Sequence, residues 1–259
     1  MISIIVTHYK SPMLKLCLES VRKAVRGLER EVFVIDCEAQ EETEEFIASD
    51  FPEVKYFAFR KNVGYAKLVN HGIKNSKGDF ILALNSDMVL TEESISRMVA
   101  FMKQNFRVGM LGPRLIGLNG LTQDSCFRFY RPETIIYRRT WLGKTKSGKK
   151  ELGRFLMNDF DHRQNRQVDW LQGAAMMIRR KALEEVGLMD ERFFLFFEDT
   201  DWCRRFHEKN WQVVYFPEAK MYHCHGQVSK KKGGISDLLF NKYTWIHISS
   251  AIKYFWKYR

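Results

Sequence analysis

The feature that most constrains the fold is the alternation of strand-like and helix-like segments over the first hundred residues. Short apolar runs typical of strands occur at 3–7, 32–36, 55–59 and 80–84. Apolar residues with helical spacing occupy the segments between and after these runs, at 13–24, 41–49, 65–75 and 91–104. This alternation is typical of βαβ units and predicts an α/β fold with a mostly parallel central sheet and flanking helices.

Polar residues follow each of the four predicted strands. Thr7, Asp36 and the segments 60–62 and 85–87 each stand directly after an apolar run. In a parallel sheet, ligands bind beyond the carboxyl ends of the strands. We therefore expect these residues to meet in one crevice.

The second half of the chain is less regular. Residues 127–167 are polar and basic without clear periodicity, and we expect a long mobile loop there. WQVVYF at 211–216 predicts a further strand. We expect one main domain over residues 1–229, followed by a basic, aromatic helical segment over residues 230–259.

The net charge of +11 is concentrated in two segments. Residues 127–150 hold eight Lys/Arg against one Glu, and residues 230–259 hold seven Lys/Arg against one Asp. Local basicity of this kind predicts a specific anionic partner surface. Nucleic acid is the generic candidate, but the chain carries no zinc-finger or RNP-type signature, so we expect no nucleic-acid partner.

Cysteine usage and hydropathy favour a cytoplasmic protein. The five cysteines are scattered and form no CxxC pair, which is typical of reduced thiols. The first residues, MISIIVTHYK, become polar too soon for a signal peptide. No apolar run approaches the roughly 18 residues that a membrane span needs.

The segment ILALNSD, residues 81–87, ends an apolar strand with Asn85, Ser86 and Asp87. A carboxylate at a strand end suits Mg²⁺ or Mn²⁺, because these hard cations prefer oxygen ligands, including those of a phosphate. Asn, Ser and Asp are also common turn formers, and the segment taken alone favours a plain turn.

Residues 60–79 contain three glycines, Gly64, Gly72 and Gly78. Gly64 would let the backbone approach a ligand, and free N–H groups at a helix start near Tyr65 would suit a diphosphate. The pattern is neither a Walker loop nor GxGxxG. Gly72 and Gly78 are equally consistent with simple helix ends.

The stretch FFLFFEDTD, residues 193–201, runs from five apolar residues straight into a cluster of acidic ones. A helix cap and an i, i+4 ion pair between Asp201 and Arg205 explain part of it. The cap and the ion pair account less well for the presence of Glu198 and Asp199 beside the apolar run. A carboxylate among aromatic side chains loses hydration, which raises its pKa and makes it a better base.

Two histidines, His223 and His225, flank Cys224 in a strand-like run. They share one face of that strand, and either is a candidate metal ligand.

The motifs occur in a characteristic order along the chain. They are strand ends at Thr7 and Asp36, Asn-x-Gly-Tyr-Ala-x-x-x-Asn-x-Gly (62–72), Gly-Asp-Phe-Ile-Leu-x-Leu-Asn-x-Asp (78–87), Trp-x-x-Gly-Ala (170–174), Asp-Glu-Arg-Phe-Phe (190–194), Glu-Asp-x-Asp-x-x-x-Arg (198–205) and His-x-x-Gly (223–226). From residue 2 to about residue 229, the chain resembles family 2 glycosyltransferases of the GT-A fold. Within that family it is most similar to the bacterial rhamnosyltransferase-like branch.

The resemblance implies a role for each matching residue. The nucleotide-sugar would be held by Thr7, Asp36, Asn62, Gly64, Lys67, Asn85, Ser86 and Asp87, with Asn70 supporting the second motif. Asp87 and His223 would bind Mg²⁺ or Mn²⁺, with His225 as the alternative to His223. Asp199 would be the catalytic base. The acceptor side would be bordered or supported by Trp170, Gly173, Glu198, Asp201, Arg205 and His225.

Three departures from the family pattern affect the donor site. Asp36 is followed by Cys-Glu-Ala, where Asn-x-Ser is usual. Lys67 replaces a small residue, either as a phosphate contact or as a solvated helix residue. Asn85, Ser86 and Asp87 occupy the position of the family's metal-binding Asp-x-Asp (DxD) motif. Asn85 replaces the first Asp of that motif, which leaves Asp87 as its only carboxylate.

The implied activity is inverting, metal-dependent transfer of a hexose, with rhamnose favoured, from a UDP- or dTDP-sugar. The acceptor would be a hydroxyl of a glycan or lipid-linked oligosaccharide in cell-surface polysaccharide synthesis. One alternative is a non-catalytic nucleotide-sugar or glycan-binding module of the same fold. A nucleotidyltransferase would carry a Gly-rich loop after its first strand, and THYKSPM is not one.

The last segment, 238–259, resembles an interfacial helix, because it combines aromatic residues with Lys and Arg. Its apolar runs are too short to cross a bilayer. This favours peripheral attachment at the inner face of the cell membrane. A terminal helix packed on the domain and a homodimer contact are the alternatives.

Overall fold

Strands alternate with amphipathic helices and form one large central sheet covered on both faces. The computed structural model describes residues 1–224 and 241–259. The strands of the large sheet are β1 Ile2–His8, β2 Arg30–Cys37, β3 Val54–Phe59, β4 Phe80–Asn85, β5 Met88–Leu90, β6 Val108–Ile116, β8 Arg166–Gln167, β10 Ala175–Arg179 and β11 Gln212–His223. A separate two-stranded sheet pairs β7 Cys126–Phe127 with β9 Trp170–Leu171.

The helices follow the strands in sequence. They are α1 Leu14–Ala24, α2 Glu41–Asp50, α3 Tyr65–Asn75, α4 Ser94–Gln104, α5 Pro132–Arg139, α6 Lys146–Phe155, α7 Arg180–Val186, α8 Glu198–Glu208 and α9 Lys242–Lys257, with a 3₁₀ turn at Trp141–Lys144. The four strands and four helices predicted in the first hundred residues are confirmed to within three residues. The strand predicted at 211–216 is confirmed as part of β11.

The sheet order is β3-β2-β1-β4-β10-β6-β11-β5, with β8 paired to β11. The first four strands pair with one another in parallel, as predicted. β10 runs antiparallel to both β4 and β6, so the second half of the sheet is mixed. The register places Thr7 level with Asn85 and His8 level with Asp36, which brings the carboxyl ends of β1, β2 and β4 together.

The core lies on both faces of the sheet because successive strand residues point in opposite directions. Ile4 and Val6 of β1 belong to the core under α1 and α4, while Ile5 belongs to the core under α3 and α8. The central strands are therefore buried on both sides, and their sequences read as continuous apolar runs.

The prediction of a long mobile loop at 127–167 is wrong. Helices α5 and α6 occupy this segment, and the Thr145 side chain caps α6 by accepting a hydrogen bond from the Gly148 N–H at 3.1 Å. Phe155 is fully buried, and Glu151 is held by Arg154 at 2.6 Å. Few residues of this basic segment face the core, so their helical spacing gives only a weak periodic signal.

None of the helices in residues 1–224 and 241–259 combines the length and apolar character required to cross a bilayer.

Close packing of α3 on β1 makes Gly72 a stability determinant. A Cβ there would lie 3.0 Å from Ile5 Cγ1 and closer still to Cγ2. We expect Gly72→Ala to lower the free energy of unfolding by about 1–3 kcal/mol, because overpacking outweighs the helix propensity of Ala. Equilibrium urea unfolding measures this change.

Gly153→Ala in α6 is the matched control. The nearest atom to its added Cβ is Asn158 Nδ2 at 3.6 Å, an ordinary contact. We expect this variant to match the wild type or to gain up to about 1 kcal/mol. Equal stability of the two variants would contradict the close approach of α3 to β1.

Candidate active site

The first wall of the crevice is formed by the carboxyl ends of β1, β2 and β4. The Thr7 hydroxyl donates to Asn85 Oδ1 at 3.2 Å. Asp36 is 2% exposed and accepts a hydrogen bond from the Tyr56 hydroxyl at 2.8 Å. The parallel register thus brings Thr7, Asp36 and Asn85 to one edge, as the strand-end pattern suggested.

His8 also lies at this edge, and the sequence reasoning missed it. Its Nδ1 lies 3.0 Å from the Ser86 hydroxyl. Burial lowers the pKa of His8, which favours the neutral imidazole, although the nearby Asp36 carboxylate opposes this shift. Its place directly after Thr7 at the end of β1 is the signal that could have identified it.

The turn into α3 is packed against the loop that precedes α8. Gly64 has φ +84°, and a Cβ there would lie 2.5 Å from the Phe194 carbonyl oxygen. The Gly64 N–H donates to Asn62 Oδ1 at 3.1 Å, and the Tyr65 N–H donates to the Phe194 carbonyl at 3.0 Å. These two N–H groups therefore already have protein acceptors, unlike the free groups expected for a diphosphate.

Two other residues of the second motif lie on α3. Lys67 is exposed in the first turn of the helix. Asn70 is buried, and its side-chain amide binds both the N–H and the carbonyl of Met189, at 3.0 and 2.9 Å. Asn70 thereby fastens the start of the loop that leads to Asp199. The nucleotide-sugar roles of Asn62, Gly64 and Lys67 stay predictions.

Asp199 lies in the first turn of α8, directly after a left-handed corner. Phe196 and Phe197 have φ of +67° and +69°. Such a conformation costs an L-residue about 1–2 kcal/mol. The half-buried Asp199 carboxylate accepts a hydrogen bond from the Gly173 N–H at 3.0 Å and another from the Thr200 N–H at 2.7 Å.

Gly173 connects Asp199 to α3. Its carbonyl accepts a hydrogen bond from the Tyr65 hydroxyl, while its N–H donates to Asp199. A Cβ at Gly173 would lie 3.2 Å from the Tyr65 ring and 3.5 Å from Asp199 Oδ2. Tyr65 is thus a site residue that sequence reasoning identified only as a helix start.

The two adjacent carboxyl groups differ in protonation. Burial raises the pKa of Asp199 to about 6, even though its hydrogen bonds lower it. Glu198 is 5% exposed, and burial together with the Asp199 charge raises its pKa well above the usual range. The Asp199 charge is one cause of the shift at Glu198, so Asp199 is the carboxyl group that loses its proton first as the pH rises and the one able to accept a proton from a substrate.

Asp201 and Arg205 form the ion pair that their i, i+4 spacing predicted. Arg205 Nε lies 3.0 Å from Asp201 Oδ2, and the Asp201 side chain is fully buried. Arg205 also donates to the carbonyls of Val186 and Leu188, at 2.9 and 2.7 Å. This pair ties α8 to the end of α7.

Trp170 lies in an aromatic cluster next to the Gly173 turn. It is 6% exposed, its ring stacks on Phe127 at 4.3 Å, and its Nε1 donates to the Arg128 carbonyl at 3.0 Å. Its contact with an acceptor stays a prediction.

Asp87 and His223 meet between β5 and β11. His223 Nε2 lies 3.5 Å from Asp87 Oδ2. The Gln123 amide nitrogen donates to the His223 carbonyl at 3.3 Å, so the Gln123 oxygen faces His223 Nδ1 at 2.8 Å. Because that oxygen only accepts, Nδ1 is the donor, and Nε2 is the ring nitrogen that lies on the side of Asp87.

This donor set fits a divalent cation. A carboxylate and an oriented neutral imidazole are usual ligands, and Mg²⁺ in particular commonly takes one or two protein groups together with phosphate oxygens and water. Within residues 1–224 and 241–259, no group of three or more His, Cys, Asp or Glu could hold a metal ion by itself. His225, the alternative ligand, lies outside the described residues.

Residues 3–187 match the family model described as "Glycosyl transferase family 2". The chain is 25% identical to the N-acetylglucosaminyl-diphospho-decaprenol L-rhamnosyltransferase of Mycobacterium tuberculosis, over 97% of this chain and 85% of that protein. It is 27% identical to the dTDP-rhamnosyl transferase RfbF of Shigella flexneri, over 73% of this chain and 58% of that protein.

Solved structures share the fold. The crystal structure of GalNAc-T7 with UDP, GalNAc and Mn²⁺ aligns with a TM-score of 0.64 at 15% identity, over 86% of this chain and 44% of that chain. The S. aureus TarS 1–349 structure in complex with UDP aligns with a TM-score of 0.56 at 17% identity, over 86% of this chain and 60% of that chain.

The environment of Asp199 predicts its titration. Because burial raises its pKa to about 6, we expect this carboxyl group to be protonated below that pH and ionised above it. Carboxyl-detected NMR, compared with an Asp199→Asn variant for assignment, measures the midpoint. A midpoint near 4, the value of an ordinary Asp, would contradict the buried environment.

Proposed function

This chain belongs to glycosyl transferase family 2, and from that premise we propose that it is an inverting, metal-dependent transferase acting on a lipid-linked acceptor. The observation that carries the proposal is the carboxylate of Asp199, fixed by the Gly173 N–H beside the buried Glu198. A fixed, ionised carboxylate of raised pKa is the group needed to take a proton from an acceptor hydroxyl.

The donor site that we propose lies along the strand ends. Asp36 and Thr7 would meet the nucleoside, with Asn85 and Ser86 beside them. Asp87 and His223 would hold Mg²⁺ or Mn²⁺. When bound, the cation would stabilise the negative charge that builds on the departing diphosphate.

Asp199 performs the proton transfer in this mechanism. The acceptor oxygen forms a bond to the anomeric carbon, the bond from that carbon to the diphosphate oxygen breaks, and the hydroxyl proton moves to Asp199. Attack from the face opposite the diphosphate inverts the configuration in one displacement. Burial and the Asp199 charge raise the pKa of Glu198, which favours the protonated form of that neighbour.

The chemistry of the relatives suggests the substrates. Two relatives are named for rhamnosyl transfer, one of them to a diphospho-decaprenol-linked N-acetylglucosamine. We propose dTDP-rhamnose as donor and a sugar on a polyprenyl diphosphate as acceptor, in cell-surface polysaccharide synthesis. A UDP-sugar is the alternative donor, and a non-catalytic binding module is the alternative function.

The outer face of α9 supports a peripheral membrane role. Trp245, Ile252 and Trp256 lie on one stripe of the helix and are 56%, 65% and 73% exposed, with Lys253 beside them. Apolar side chains flanked by cations suit the boundary of an anionic membrane. We propose that residues 1–229 carry the chemistry and that residues 230–259 attach it to the inner face of the membrane.

Turnover with a defined pair of substrates tests the transferase. We expect acceptor-dependent release of dTDP from dTDP-rhamnose in the presence of Mg²⁺ or Mn²⁺ and a short-chain polyprenyl diphosphate N-acetylglucosamine. Asp199→Asn should lower kcat by about 10²–10⁴, with the donor KM within about twofold, because it removes only the base.

Asp161→Asn, on an exposed loop, is the matched control and should retain wild-type turnover. Near wild-type turnover by Asp199→Asn would remove Asp199 as the base. Donor binding without turnover by the wild type, across a panel of UDP- and dTDP-sugars, would favour the non-catalytic alternative.

Co-sedimentation with anionic vesicles tests the membrane role. Replacing Ile252 and Trp256 together by Ser should weaken binding at least about tenfold, because the two side chains lose their burial in the interface. Phe106→Ser is the control, since Phe106 is 75% exposed in the turn before β6. Equal binding by the double variant and the wild type would exclude this face of α9 as the attachment surface.

A further inference from the structure

Helix α9 contacts the loop that leads to Asp199 through side chains from His247 to Lys257. We define this loop, residues 190–197, as the base loop. Both α9 and the base loop lie beyond residue 187, where the match to the family model ends. We infer that α9 clamps the base loop and that Lys257 and Tyr258 are positioning residues for Asp199, an inference that rests on the proposed function.

The base loop ends in a conformation that needs external support. Phe196 and Phe197 are consecutive non-glycine residues in the left-handed region. Residues in this region persist where the surrounding structure holds them. Asp199 follows this corner by two residues, so the direction of its carboxylate depends on whatever fixes the corner.

Polar side chains of α9 bind the backbone of the base loop directly. The Ser250 hydroxyl donates to the Leu195 carbonyl at 3.0 Å. The Lys253 ammonium donates to the Arg192 carbonyl at 2.9 Å. Ser250 and Lys253 are three residues apart, and Lys257 follows four residues later, so all three lie on neighbouring turns of the helix.

Lys257 joins the two ends of the clamped segment. Its ammonium group lies 2.9 Å from Asp190, at the start of the base loop, and 2.6 Å from Asp201 in the first turn of α8. The Tyr258 hydroxyl donates to the same Asp201 oxygen at 2.8 Å. Asp199 lies between these two anchored carboxylates in the sequence.

Aromatic packing completes the clamp. The Phe197 ring lies 5.2 Å from that of Tyr254 and 5.3 Å from that of His247, both on α9. Phe193, Phe197 and Tyr254 are each at most 2% exposed. The corner before Asp199 is therefore closed by side chains of α9 and cannot relax while the helix is in place.

Loss of the clamp should act on catalysis more than on donor binding. A displacement of about 1 Å at a reacting group can lower a rate by about a hundredfold. Asp36, Asp87 and the strand ends lie on other elements and do not depend on α9. The inference therefore predicts a fall in kcat at a nearly constant donor KM.

The test compares Lys257→Met with the charge-conserving Lys257→Arg in the full chain. We expect Lys257→Met to lower kcat with dTDP-rhamnose about tenfold or more, with the donor KM within about twofold, while Lys257→Arg restores most of the rate. Hydrogen exchange followed by mass spectrometry should show faster exchange in residues 193–197 for Lys257→Met. Lys242→Met, an exposed position at the start of α9, should match the wild type in both measurements.

Wild-type exchange in residues 193–197 of Lys257→Met would overturn the clamp. Faster exchange with unchanged kcat would overturn the positioning role. If Lys257→Met does not fold, Ser250→Ala replaces it, and it should raise exchange at residues 195–197 and lower kcat about two- to threefold; wild-type values would overturn the inference. Absence of turnover by the wild type would count against the proposed function, while the exchange comparison would still decide the clamp.

Discussion

The hydrogen bond between the Gly173 N–H and Asp199 joins the parts of the molecule on which the proposed chemistry depends. Gly173 leads into β10, its carbonyl is held by Tyr65 at the start of α3, and Asp199 belongs to α8. Gly173 also allows close packing of Tyr65, because an added Cβ would lie only 3.2 Å from the Tyr65 ring. The hydrogen bond also requires the left-handed corner at Phe196 and Phe197, which α9 encloses. The geometry of one carboxylate thus depends on four elements distant in sequence.

Electrostatics gives the neighbouring acidic groups different roles. Burial and the Asp199 charge raise the pKa of Glu198 well above its usual range, Asp199 is half-buried and ionised above about pH 6, and Asp201 is fully buried in ion pairs with Arg205 and Lys257. Crowded carboxylates can coexist because each has a different environment. Asp199 is the proton acceptor of this cluster, and Asp201 is the centre of its ion pairs. The two residues are only two positions apart in the sequence.

Much of this could be predicted from sequence, for physical reasons. Strand and helix periodicities identified the first half of the sheet, and the strand-end rule placed Thr7, Asp36 and Asn85 at one edge. The failures involve contacts between residues far apart in the chain. Gln123 orients His223 across 100 positions, and Lys257 neutralises Asp201 across 56. Local patterns carry no signal for such pairs. In residues 127–167, basic and aromatic side chains obscured two helices of which only a few residues, such as Phe155, face the core.

In the proposed mechanism a single base, Asp199, drives a one-step displacement. The anomeric configuration of the product distinguishes this mechanism from its rivals, because one displacement inverts that centre, whereas retention requires a covalent intermediate or attack from the face of the leaving group. NMR of the glycoside formed from a donor of known configuration gives the answer. We expect the configuration opposite to that of the donor, and a product with the donor's configuration would rule out the single displacement.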